Sequence, residues 1–157
     1  MLRGAPFAIA AAGVGVITLI HAIIVWPIHA VVVFFVGGAF IAFTFEWIAI
    51  RSGVLDHHTG PYIDGVPIYL LAAWPGTIYI AFQISLLFTE SWAVIVLSAL
   101  IATFYDIATD HYGIEAGNWT YSNSIPGPTF RGVPWWNFGA WFVISALTVL
   151  IAYPVIP

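Results

Sequence analysis

Residues 28–50 read IHAVVVFFVGGAFIAFTFEWIAI, and this stretch decides the fold class. Wound as a helix rising 1.5 Å per residue, it is about 34 Å long, enough to cross a hydrocarbon core of about 30 Å. Its apolar residues run on without alternating, which fits a membrane helix and not a barrel strand. Glu46, near its end, is the one acidic residue within it.

The same pattern recurs on both sides. Residues 7–25, 66–88, 92–110 and 135–153 are each long and apolar enough, so the chain is expected to form one all-α, polytopic membrane bundle of about five spans over residues 1–157. Trp26-Pro27 and Thr89-Glu90-Ser91 form minimal turns, while residues 51–65 and 111–134 form longer polar connections. Pro75 should kink the third span, because it lacks a backbone donor. Ala10-Ala11-Ala12 has the small-residue character of a cleavage site. The apolar run continues to Val25, however, and reads as a span rather than a leader. No internal repeat or second domain stands out.

Composition agrees. Of 157 residues, three are Lys or Arg, seven are Asp or Glu, and 62% are hydrophobic, against about 45–50% in soluble domains. So few charges cannot cover a soluble surface, and the lipid bilayer is the expected partner. Three cations also exclude a nucleic-acid binder, which must neutralise phosphates. Without cysteine there is no disulfide, thiolate metal site or cysteine nucleophile. With five spans, Arg3, Arg51 and Arg131 fall on one side, which the positive-inside rule makes cytoplasmic, with the N-terminus inside. Asp56, Asp64, Asp110 and Glu115 share that side, and Glu90 lies opposite.

Glu46 and Asp106 are the costly residues, since a carboxylate inside a span must be paired, hydrated or protonated. Asp106 and Asp110, spaced i, i+4, share a helix face and are about 6 Å apart along the axis. Glu46 lies about 7 Å inward of Arg51, at similar depth. Clustered carboxylates in an apolar setting favour a carboxylic acid that keeps its proton and can donate it. The plainer alternative pairs Glu46 with Arg51 and leaves Asp110 ending a helix. His57, His58 and His111 offer donors for a metal, but no metal-binding histidine box is present; otherwise His57 and His58 sit in a solvated loop. Asp106-x-x-x-Asp110 also matches magnesium-diphosphate spacing, without the second aspartate motif or the basic residues such sites use. Asn137 and Arg131 are placed to hold a carboxylate or orient a loop.

Three ordered stretches carry a family resemblance: Glu46 with Gly60-Pro61-Tyr62, Gly65-Val66-Pro67 and Trp74; Asp106 and Asp110 with Gly117 and Trp119; and Gly132-Val133-Pro134 with Asn137-Phe138 and Trp141. In these the chain resembles the carotenoid biosynthesis membrane proteins that include the carotenoid 1,2-hydratases. Members of that family are longer, with more spans, and His111 stands where proline is expected. The related heterodimeric lycopene cyclases use a Pro-x-Glu motif, whereas Phe43-Thr44-Phe45 precedes Glu46 here.

The resemblance implies cofactor-independent, acid-catalysed hydration of an acyclic carotenoid or other isoprenoid end group. Asp106 would be the donor, with Asp110 or Glu46 as its partner. Tyr62, Trp74, Trp119 and Trp136 would line the substrate site, and Arg131 and Asn137 would position the acids. The alternative is a non-catalytic membrane subunit that binds a carotenoid, lipid or quinone, either as a homo-oligomer or with a partner subunit. A proton- or ion-conducting role fits less well, because the ionisable groups do not continue to the other face.

Overall fold

A computed structural model describes residues 4–156; Arg3, used above for orientation, lies outside them. The described chain is an all-α bundle of five helices: α1 (Ala5–Val25), α2 (Ile28–Arg51), α3 (Leu70–Leu86), α4 (Ala93–Glu115) and α5 (Trp135–Ala152). All except α3 are long and apolar enough to cross a membrane, which makes this an integral membrane protein. At 17 residues, α3 is about 25 Å long. It is shorter than the expected span at 66–88, because Val66–Pro67 is recruited into a hairpin.

The helix ends follow local chemistry. Pro6 sits in the first turn of α1, where its missing donor costs nothing. Trp26 leaves the helical region, and α2 starts directly after Pro27. A wider turn at Val32–Val36 inside α2 carries Phe34 and Phe35 into the core against Tyr79. Helix α1 packs on α3, and α4 packs on α3 and α5. Small residues permit the first contact: a Cβ on Gly76 would fall 2.7 Å from the Gly15 Cα.

The connections expected to be irregular contain short strands: β1 (Leu55–His57), β2 (Tyr62–Ile63), β3 (Val66–Pro67), β4 (Trp119–Tyr121), β5 (Thr129–Phe130) and β6 (Val133–Pro134). Strands β2–β3 and β5–β6 are hairpins whose two-residue loops, Asp64-Gly65 and Arg131-Gly132, have positive φ throughout. That is the backbone of a type I′ turn, which matches the twist of the flanking strands.

These strands expose an internal repeat that the sequence reading missed. The order helix, strand, hairpin, helix occurs twice, as α2–β1–β2–β3–α3 and α4–β4–β5–β6–α5. Strands β1 and β4 pair antiparallel about Asp56 and Thr120, so each copy sees the other in the same way. The flanking bonds are reciprocal: His58 N–H to the Asn118 carbonyl (2.8 Å) and Ser122 N–H to the Val54 carbonyl (3.0 Å). Both preceding helices end at a glycine with positive φ, Gly53 and Gly117. Trp74 of α3 and its counterpart Trp141 of α5 pack ring on ring at 4.5 Å. Helix α1 stands outside the repeat.

Candidate functional site

Strand alternation builds one wall of the site. Residues two apart share a face of a strand, so Leu55 and His57 of β1, with Trp119 and Tyr121 of β4, turn towards the helices, while Asp56 and Thr120 are exposed. Behind them lies a cavity of about 280 Å³ between the two repeats and α1. Glu46, Asp106 and Asp110 all line it, so the three carboxylates meet as expected. Glu46 and Asp106 are each 4% exposed.

Asn137, on α5, joins the aspartates. Its Nδ2 donates to Asp106 Oδ2 at 3.0 Å and to Asp110 Oδ2 at 3.3 Å. The Tyr121 hydroxyl donates to Asp110 Oδ2 at 2.8 Å. Burial, and then the charge of Asp110, push that hydroxyl well above the usual tyrosine range, so Tyr121 stays a donor. Glu46 is held by a different residue: Nε2 of His57 lies 3.1 Å from its Oε2, and the His57 side chain is 4% exposed. Among the described residues, no group of three or more His, Asp and Glu side chains is arranged to hold a metal ion.

The chain matches no family model, no curated protein and no solved structure. The site's chemistry therefore rests on its own residues.

Of the expected substrate-site residues, Trp74, Trp119 and Asn137 line the cavity. Three others do not. Tyr62 is 44% exposed, and its hydroxyl donates to the His57 carbonyl instead. Trp136 packs edge-on behind Tyr121, with ring centroids 5.6 Å apart, so it backs the site without entering it. Arg131 positions no acid: from the β5–β6 turn its guanidinium donates to Nε2 of buried His111 on α4 at 2.5 Å. The alternative pairing of Glu46 with Arg51 is also absent, since Arg51 bonds Asp64 in the β2–β3 turn. Nor is His57 a solvated loop residue, although exposed His58 is.

Sequence reasoning missed His57, Tyr121, Tyr69 and Trp141 as cavity residues. The alternation of inward and outward residues in 55–57 and 119–121 is the signal that would have found the first two. It is legible only once those triplets are recognised as strands.

The arrangement has clear chemical capability. Its walls are mostly apolar and aromatic, with the carboxylates gathered at one end of the bundle. Asp110 accepts hydrogen bonds from Tyr121 and Asn137 and also has the Trp119 N–H beside it, whereas Asp106 accepts one, from Asn137. A carboxyl gathered with others in an apolar setting can hold a proton and donate it. Trp74, Trp119 and Trp141 offer π faces to a developing cation.

Proposed function

We propose that this protein is a membrane enzyme that hydrates an isolated alkene at the end of an apolar isoprenoid chain, with an acyclic carotenoid as the substrate class. The observation that carries this reading is a pair of hydrogen-bonded aspartates, Asp106 and Asp110, opening onto an aromatic cavity within a membrane bundle. Alkene hydration needs a proton donor, a means of stabilising a tertiary cation, and water. Asp106 supplies the proton, the tryptophan faces stabilise the cation, and Asp110, fixed by Tyr121 and Asn137, balances the charge. The resemblance across residues 46–142 supports the carotenoid class, and the arginine distribution supports a polar end at the cytoplasmic face.

The test is carotenoid extraction and mass analysis of lycopene-accumulating cells with and without this chain. A product one water heavier supports hydration. Confirmed expression with no such product refutes it. Pigment that co-purifies unchanged indicates the binding-subunit alternative instead.

A further inference from the structure

Two buried polar atoms of cavity-lining residues are without a partner among the described residues, His57 Nδ1 and the Tyr69 hydroxyl, while Trp119 Nε1 is turned towards the Asp110 carboxyl. Buried polar groups in native folds are nearly always hydrogen-bonded, so such orphans mark a place for a polar ligand or water. Their chemistry is complementary. A carboxylate only accepts, so the 3.1 Å contact with Glu46 assigns the ring proton of His57 to Nε2. Nδ1 then presents a lone pair, while the Tyr69 O–H is a donor.

The carboxylate orients the imidazole, the arrangement that makes histidine a general base. The groups near the ring are Glu46, Trp119 (ring centroids 5.9 Å apart) and Asp110, which lines the same cavity. The second repeat puts Tyr121, a donor, at the place equivalent to His57. One copy of the unit carries a base where the other carries a donor.

We propose that His57, oriented by Glu46, is the general base that delivers water to the cation, with Tyr69 holding that water. This rests on the hydration reading above and assigns its second half-reaction. In the first half, the Asp106 carboxyl gives its proton to the less substituted alkene carbon, forming a C–H bond and leaving a tertiary cation and a carboxylate. In the second, the water oxygen forms the C–O bond and one water proton passes to His57 Nδ1. The imidazolium returns that proton to Asp106 through solvent. The sum is alkene plus water to tertiary alcohol, with no electron transfer. Glu46 is a positioning residue.

The experiment uses the full chain in lipid nanodiscs with an acyclic carotenoid in deuterated water, comparing wild type, His57→Phe and Glu46→Gln. Retention of fold is checked by size exclusion and near-ultraviolet circular dichroism. In His57→Phe, alcohol formation should fall by about 100-fold or more. The recovered alkene should still gain deuterium at its end group, because protonation by Asp106 and its reversal persist. Glu46→Gln should show the same split, with a loss of about tenfold. Hydration at the wild-type rate in His57→Phe overturns the proposal, as does joint loss of exchange and hydration in the folded variant. If His57→Phe does not fold, His57→Gln takes the same measurement. No product from wild type overturns the hydration reading itself, a result distinct from the others.

Discussion

Glu46 and Asp110 hold equivalent positions in the two copies of one structural unit, 64 residues apart. Each accepts a hydrogen bond from the side chain eleven residues downstream, His57 for Glu46 and Tyr121 for Asp110. Because β1 and β4 pair about their centres, the two carboxylates are brought to one cavity. The duplication supplies the convergence, and the difference between histidine and tyrosine gives each carboxylate its own partner.

Asp106→Asn should abolish turnover while leaving the bundle intact. The amide is nearly isosteric and still bonds to Asn137, but it has no acidic proton to give. Product analysis in carotenoid-containing membranes checks this, and unchanged activity removes Asp106 from the donor role.

Asn137→Leu leaves both aspartates without their shared donor. Hydrogen bonds to charged groups contribute about 1.5–3 kcal/mol, so a stability loss of about 2–3 kcal/mol is expected, with activity falling as well. Denaturant unfolding in detergent measures it; a loss below about 0.5 kcal/mol means that the amide does not bridge the pair.

Tyr121→Phe should slow turnover about tenfold, the equivalent of about 1.4 kcal/mol of lost stabilisation of Asp110. Burial and the charge of Asp110 raise the Tyr121 hydroxyl well above its ordinary range, so it stays neutral beyond pH about 10. The ratio of wild-type to variant rate should therefore stay constant from pH 6 to 9; a ratio that varies with pH in that window counts against a fixed neutral donor.

Gly113→Ala should disturb the site from behind, since a Cβ there runs into the Trp119 ring. Overpacking of this kind costs about 1–3 kcal/mol. Gly13→Ala is the control, because nothing lies within 4 Å of the added Cβ. Equal melting temperatures for the two variants would contradict the packing.

The β2–β3 turn should loosen in acid. Hydrogen bonds from Arg51 and then from Trp47 hold the Asp64 carboxyl below its usual range. A depressed value means that this contribution is complete above the ordinary carboxylate value of about 3.9 and is lost as pH falls through the lower folded value. The Trp47 indole N–H resonance should shift over that lower window in wild type and stay still in Asp64→Asn.

The helices were legible because hydropathy is local: α1, α2 and α5 fall within about two residues of the ends expected from their apolar runs. Asp106, Asp110 and Asn137 were legible for a related reason, since polar groups in an apolar run must be held by something. The repeat was not. Beyond Gly-Pro, Gly-Val-Pro, one tryptophan and scattered matches such as Gly53 with Gly117, many equivalent positions carry exchanged chemistry, such as Asp64 for Arg131 and His57 for Tyr121. Asp64-Gly65 was itself a hairpin signal, masked by the apolar run that follows it.

By itself, then, the sequence determined a membrane bundle with its ionisable groups gathered towards one end, because span length and charge cost act residue by residue. Only the tertiary structure decided that Glu46 bonds to His57 and not to Arg51, and that Arg131 bonds to His111 and to no acid. Those choices depend on the antiparallel register of β1 with β4 and on the two positive-φ turns. Both bring together residues far apart in the chain, which local patterning does not encode.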